Sequence, residues 1–209
     1  MSHAVTNGRA TRRGLIKSGL AVGAGGAFAG ATVSAATSPA GWAASAPAGE
    51  AGVVSQTLSI EQLVVFAYQR ALASGSLKSS VAAVIGGMLS QELHHLAVLE
   101  GELRSLGAPI PTPPRDAASA QRALAKHHVY RSVSELHTQR DCLKLLIDVE
   151  SVAEGAYFSA VGKLGDQGRI RTAAGIMGCE AQHWTILSGL LNNYNVQRSV
   201  PYPFVAGST

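Results

Sequence analysis

A pattern of acidic, tyrosine and histidine residues occurs twice in this 209-residue chain and restricts its fold more than any other feature. In each copy a Glu is followed seven residues later by a Tyr, and a Glu-x-x-His begins 30 or 31 residues after the first Glu. The copies are Glu61, Tyr68, Glu92 and His95, and Glu150, Tyr157, Glu180 and His183. The Glu/Tyr pairs are 89 residues apart and the Glu-x-x-His pairs are 88 apart, so two halves of one fold carry the same groups.

The chain from Thr57 onward has apolar residues at helical spacing almost throughout. The spacing predicts four long helices, over roughly 59–73, 77–106, 132–161 and from the turn at 165–168 to 191. Ser132-x-x-Glu135 has the form of a capping box that opens the third helix. Short turns join the helices within each pair, and the longer stretch 107–131, with room for a short helix, joins the pairs. The prediction is an all-α four-helix bundle of two antiparallel hairpins joined by a long crossover.

The carboxylates and imidazoles of the repeat are predicted to lie at one level of this bundle. Counting about 1.5 Å per residue from each turn places Glu61 beside Glu92, and Glu150 beside Glu180, to within roughly 5 Å. Four carboxylates on apolar faces, with no Lys or Arg beside them, would cost several kcal/mol each if charged and unpaired. Two divalent cations would balance them; protonated carboxyls with raised pKa values, or a wet core, are the alternatives.

The N-terminus has the form of a twin-arginine secretion signal. Arg12-Arg13 precede a weakly hydrophobic stretch of Gly, Ala and Val that runs from Ser18 to about Ala36, and no acidic residue occurs before Glu50. A transmembrane anchor is the alternative, but Gly and Ser dilute the stretch and it is only marginally long enough. We expect no stable membrane span after signal removal, and a mature protein in the periplasm, in the cell envelope or outside the cell.

This interpretation divides the chain into four parts. They are the signal and its cleavage region at 1–46, a small-residue linker at 47–56, the helical domain at 57–195 and a C-terminal tail at 196–209. Cleavage is expected after Ala35, and less readily after Ala46 because Pro47 follows it.

The positive charge of the chain belongs to the signal. The full sequence has 17 Lys and Arg against 13 Asp and Glu, and the signal contains four of the basic residues, which leaves 13 of each sign. A near-neutral domain without a cluster of Lys and Arg has no basic surface that would bind phosphates, so no nucleic-acid partner is expected. The remaining length suits one domain with a single well-buried core.

The repeat resembles the ferritin-like superfamily, and specifically ferritin-like domain proteins that bacteria export through the twin-arginine route. The resemblance covers roughly residues 57–193 and rests on Glu61, Glu150, Glu92-Leu93-His94-His95 and Glu180-Ala181-Gln182-His183. It implies a dinuclear iron or manganese centre bridged by Glu92 and Glu180. Its implied terminal ligands are Glu61, His95, Glu150 and His183, and Tyr68 and Tyr157 would lie behind the ligands or take part in redox chemistry.

The resemblance also implies activation of oxygen or peroxide, with metal oxidation or peroxide detoxification as the common outcomes. Iron and manganese both suit carboxylate-rich sites with open positions. Leu93 stands where haem-binding bacterioferritins carry Met, which argues against haem. The chain has no Cys-x-x-Cys, so no built-in rubredoxin-type electron donor is expected. The sequence leaves open the metal, the redox partner, the catalytic residues and the oligomeric state, for which a homo-oligomer is one possibility.

Other residues near the repeat are assigned more ordinary roles. Glu154, one turn after Glu150, is an alternative ligand, but its counterpart in the repeat is Val65, which favours Glu150 as the ligand with Glu154 beside it. The histidines expected at the surface are His94, His127, His128 and His137, and the residues expected in core packing are Met177 and Trp184. Cys142 and Cys179 are expected to be free thiols, because their helix positions differ by about 12 Å in height, too far for a disulfide.

Two other functions remain alternatives at this stage. One is a metal-free structural or stress-associated envelope protein that keeps the ferritin-like fold. The other is a metal-binding module without turnover.

Overall fold

The structure is a computed structural model that describes residues 47–200, and the predicted signal at 1–46 lies outside the described residues. The described part is all-α and contains no strand. Its helices are α1 (Pro47–Ala73), α2 (Ser79–Ser105), α3 (Ala117–Ala125), α4 (Gln139–Val161), α5 (Gln167–Leu191) and α6 (Val196–Ser199). None of these helices is long and apolar enough to cross a membrane.

The four long helices form the predicted bundle of two hairpins. α1 packs along α2, α4 packs along α5, and α1 also packs along α4, whereas α2 and α5 make the sparsest contact of the four neighbouring pairs. The crossover contains α3, which lies against α1. The bundle is therefore closed on three sides and looser between α2 and α5.

A glycine with positive φ lies in the turn on each side of α2. Gly75 (φ 70°) lies in the turn before α2, and Gly107 (φ 67°) follows it. At the second position the N–H of Gly107 donates to the carbonyl of Arg104 (3.1 Å), and the N–H of Ala108 donates to that of Leu103 (3.0 Å). This is a Schellman motif, and the left-handed conformation that it needs is the reason for glycine there.

The start of α4 differs from the prediction. Ser132 Oγ does accept the N–H of Glu135 (3.1 Å), but the helix begins only at Gln139, where Thr138 and Asp141 form the capping box. The predicted start is wrong because the intervening segment packs into the core instead: Val133 and Leu136 are buried. Their backbone groups bond elsewhere in the fold, to Gln121 and to Ser76.

The predicted linker at 47–56 is also helical, as the first turns of α1. Val54 is buried in an apolar cluster with Leu58, Leu99 and Leu103, so this segment has a core position despite its small-residue composition. The segment is helical rather than an irregular linker because Val54 belongs to a cluster whose members on α2, α4 and α5 are distant in sequence.

The apolar core consists of two clusters at opposite ends of the bundle. One includes Val64, Ile85, Leu146 and Leu187, and the other includes Leu58, Leu103, Tyr157 and Ile176. Along each long helix the Glu and His residues of the repeat stand at the boundary between the clusters. The polar groups therefore form one layer enclosed by hydrophobic packing on both sides.

An ion-pair cluster anchors the N-terminal turns of α1 to the turn between α4 and α5. Glu50 Oε1 accepts the N–H groups of Gly165 (2.7 Å) and Asp166 (2.8 Å), and Arg169 donates to Glu50 Oε2 (2.7 Å). The backbone donors, together with Arg169, lower the pKa of Glu50 although burial opposes the shift. Arg169 also binds Glu102 on α2 (3.1 Å), so one cluster ties three helices together.

We expect Glu50→Ala to lower the free energy of unfolding by on the order of 2 kcal/mol, because two backbone donors and Arg169 lose their acceptor. Glu100→Ala is the matched control, since Glu100 forms an exposed pair with Arg104 on α2 whose loss costs about 0.5 kcal/mol or less. Urea unfolding of the protein after signal removal measures both variants. Equal, small losses would contradict the anchoring role of Glu50.

Candidate metal centre

All six candidate ligands of the sequence pattern lie together in the polar layer. Glu61 comes from α1, Glu92 and His95 from α2, Glu150 from α4, and Glu180 and His183 from α5. The four carboxylates are 0% exposed, and the two histidines are 2% and 7% exposed. Each long helix contributes, because the Glu and His positions fall on its inward-facing stripe.

The six side chains form two overlapping groups of four. One group is Glu61, Glu92, His95 and Glu180, and the other is Glu92, Glu150, Glu180 and His183; within each, one ligand atom per residue lies within 4.8 Å of all the others. Glu92 and Glu180 belong to both groups. Each group therefore offers three carboxylates and one imidazole, with two carboxylates shared between the groups.

Both histidines direct Nδ1 into the layer. His95 Nδ1 lies 3.0 Å from Glu180 Oε1 and 3.3 Å from Glu92 Oε2. His183 Nδ1 lies 2.6 Å from Glu92 Oε1 and 3.5 Å from Glu150 Oε1. Among the described residues, the ion pairs of these carboxylates involve only the two histidines.

The tyrosines of the repeat bond across it. Tyr157 donates to Glu61 Oε1 (2.5 Å), and Tyr68 donates to Glu150 Oε1 in a very short bond. Each tyrosine thus binds the carboxylate of the other copy and links α1 to α4. One oxygen of each carboxylate is held in this way, which leaves the second oxygen free to face the layer.

Within residues 47–200, seven buried side-chain atoms have no hydrogen-bond partner, and six of them belong to the candidate ligands. The six atoms are Glu61 Oε2, Glu92 Oε1, Glu150 Oε2, both carboxylate oxygens of Glu180, and His183 Nδ1. The approach of His183 Nδ1 to Glu92 Oε1 has the distance of an ion pair without the angles of a hydrogen bond, so both atoms remain unsatisfied. Buried oxygen and nitrogen acceptors that converge without donors are the arrangement that a cation requires.

Protons take up part of the charge when no metal is bound. Burial, followed by the charges of Glu180 and Glu92, raises the pKa of Glu61 well above its ordinary value; burial and Glu180 do the same for Glu150. Burial alone would lower the pKa of His95, but Glu180 and Glu92 raise it to about 9. Burial would raise the pKa of Glu180, yet the adjacent imidazoles of His183 and His95 lower it to about 2.

The pKa values of both tyrosine hydroxyls are raised well above the ordinary value for tyrosine. Burial is the main cause of the raised pKa of Tyr68 and Tyr157, and the carboxylates that they bind, Glu150 and Glu61, raise it further. Both phenols therefore act as hydrogen-bond donors to the carboxylates at neutral pH.

Glu154 is buried (3% exposed) but belongs to neither group of four. Burial and the nearby charge of Glu180 raise its pKa, and its Oε1 has no hydrogen-bond partner. Glu150 is the residue of this pair that reaches the shared carboxylates.

The remaining polar residues lie outside the layer. His94, His128 and His137 are exposed, while His127 is half-buried rather than fully solvated, and its burial lowers its pKa. Met177 packs against the apolar cluster that includes Leu58 and Leu103, and Trp184 is only half-buried. Cys142 and Cys179 are free thiols, with Cys142 buried.

The sequence pattern missed Gln91, which contacts the layer from outside. Its Oε1 lies 2.6 Å from His183 Nε2, the ring nitrogen that faces away from the carboxylates. Glutamine is not part of the ligand motif, and the contact joins two helices, α2 and α5, that are far apart in the sequence. The sequence offers one signal for this residue, which is that Gln91 directly precedes a Glu-x-x-His.

Comparisons with known proteins agree with this architecture. A family model of the ferritin-like domain matches residues 49–193, well over half of the 209-residue chain. Searches of curated proteins and of solved structures found no match. The matched segment runs from the first turn of α1 to just beyond α5 and includes all six candidate ligands. The chain therefore belongs to the ferritin-like domain family.

Proposed function

We propose that the buried layer binds two iron or manganese ions and that the protein uses them to react with oxygen or peroxide. The observation that carries this proposal is the set of six orphaned acceptor atoms that converge between the two apolar clusters. Two divalent cations would neutralise four carboxylates, whereas no Lys or Arg among the described residues pairs with them.

The overlap of the two groups supports a different role for each residue in this proposal. Glu92 and Glu180 would be the carboxylates shared by the two ions, because only they belong to both groups. Glu61 and His95 complete one position, and Glu150 and His183 complete the other. A set of donors made of carboxylate oxygens and imidazole nitrogens suits iron and manganese.

The chain's own groups control the surroundings of the proposed centre. These residues would hold iron or manganese ions, whose redox chemistry with oxygen or peroxide the side chains themselves cannot supply. Tyr68 and Tyr157 fix the orientation of Glu150 and Glu61 and keep their protons, so they act as hydrogen-bond donors to the layer. The apolar clusters on both sides keep bulk water away from it.

We expect the protein purified after signal removal to contain about two Fe or Mn ions per chain. Glu92→Ala combined with Glu180→Ala should abolish binding, because both positions lose their shared ligands. Elemental analysis measures the content, with Glu100→Ala, an exposed change on the same helix as Glu92, as control. Equal trace metal in all preparations, with melting temperatures that neither chelators nor added metal change, would instead support the metal-free structural role.

Turnover separates an enzyme from a binding module. If the loaded protein binds metal tightly but consumes neither oxygen nor peroxide in the presence of a reductant, the metal-binding alternative is the correct one.

Metal affinity should rise with pH. His95, whose pKa is about 9 without metal, carries a proton at neutral pH that a metal must displace. Affinity at its position should therefore increase by at least about tenfold per pH unit below about pH 9, because Glu61 at the same position also has a raised pKa. Calorimetric titration with Mn²⁺ in two buffers of different ionisation enthalpy counts the released protons, and binding without proton release would contradict this expectation.

We also propose that the chain is exported by the twin-arginine route and acts in the periplasm, the cell envelope or outside the cell. Arg12-Arg13 and the weakly apolar stretch after them support this proposal. Because the route carries folded proteins, the centre could be loaded with metal before export.

Replacing Arg12 and Arg13 together by Lys should retain the protein inside the cell, because the twin-arginine pair is the recognised element. Immunoblots of fractionated cells measure the distribution. Replacement of Arg9 by Lys, which leaves the pair intact, is the control and should not change it. Export of the double variant at the wild-type level would rule out this route.

A further inference from the structure

The groove between α2 and α5 reaches one of the candidate ligands. Its lining includes Val84, Gln91, Cys179, His183 and Ile186. α2 and α5 contact each other least among the neighbouring helix pairs, which is why a groove remains there. The ring of His183 therefore spans from the buried carboxylates to this groove.

The two ring nitrogens of His183 have different environments. Nδ1 faces Glu92 and Glu150 in the layer, while Nε2 lies 2.6 Å from Gln91 Oε1. An imidazole that binds a metal through Nδ1 has to carry its proton on Nε2. An amide oxygen opposite Nε2 accepts that proton's hydrogen bond and so favours the tautomer with a free Nδ1 lone pair.

Cys179 supports this orientation of the amide. Its thiol donates toward Gln91 Oε1 (3.9 Å), and its sulfur lies 3.6 Å from His183 Nε2. Two donors thus converge on the amide oxygen. The reversed amide would place its N–H groups against them, so the network favours the oxygen at this position.

This contact breaks the symmetry of the repeat. Gln91 and Cys179 are equivalent positions, 88 residues apart, and each lies four residues before the histidine of its own copy. The Gln91 amide therefore bonds to His183 and not to His95. Among the described residues, no corresponding hydrogen bond reaches Nε2 of His95, which is also the more exposed of the two histidines.

We propose that Gln91 is a positioning residue that fixes the ring and tautomer of His183 and thereby makes the two metal positions unequal. The position formed by Glu92, Glu150, Glu180 and His183 fills first and binds more tightly. This inference rests on the proposed metal centre and adds an order of loading to it.

Titration of the metal-free protein with Mn²⁺ tests the proposal. The wild type should show two unequal binding steps, and Gln91→Leu should weaken the tighter step by about 10- to 100-fold while leaving the weaker step unchanged. Gln91→Glu, which keeps an acceptor oxygen opposite Nε2, should retain at least wild-type affinity. Gln182→Leu is the matched control, because Gln182 lines the same groove but bonds the carbonyl of Gly178 on its own helix.

Co²⁺ provides a readout that does not depend on affinity. In the wild type the Nε2–H of His183 should appear as a paramagnetically shifted proton resonance that exchanges slowly with solvent. In Gln91→Leu the resonance should exchange fast, while the spectra of Gln182→Leu and Gln91→Glu should keep it.

The outcomes distinguish this inference from the proposed function. Two ions bound by the wild type and by Gln91→Leu with the same affinities and the same slow exchange would overturn the role of Gln91 and leave the metal centre standing. No binding of Mn²⁺ or Co²⁺ by the folded wild type would overturn both. Because Gln91 is exposed in the groove, the leucine variant should keep the wild-type melting temperature without metal.

Discussion

The structure depends on four carboxylates that are fully buried between two hydrophobic clusters. An isolated buried carboxylate is costly, and four of them at one level of a bundle need compensation from protons, hydrogen-bond donors or cations. Two tyrosines satisfy one oxygen each of Glu61 and Glu150, and in the described part of the chain the ion pairs of the layer come from two histidines alone. The oxygens that remain unsatisfied make this layer the candidate metal site of the fold.

The rest of the bundle keeps these groups in register. Apolar packing above and below the layer fixes the heights of the helices, and the cross-linked tyrosines hold α1 against α4. Glu50 and Arg169 tie the start of α1 to the turn before α5 and to α2. The looser contact between α2 and α5 leaves the one face through which Gln91 reaches His183.

Sequence periodicity predicted the four long helices, their pairing into hairpins and the level at which the repeat residues meet. It failed where a segment without strong periodicity gains its structure from distant contacts. Residues 132–138 were expected to be helical but pack Val133 and Leu136 into the core, and residues 47–56 were expected to be a linker but continue α1 through the packing of Val54. Both errors come from contacts with partners far away in the chain.

The sequence by itself determined the ligand types, their spacing and their division between two equivalent halves, because a helix converts spacing into direction and height. Only the tertiary structure decided that Glu92 and Glu180 are shared by both groups, that each tyrosine binds the carboxylate of the other copy, and that Gln91 contacts one histidine alone. These relations depend on how helices from different parts of the chain face one another. Periodicity within a single helix holds no information about that arrangement.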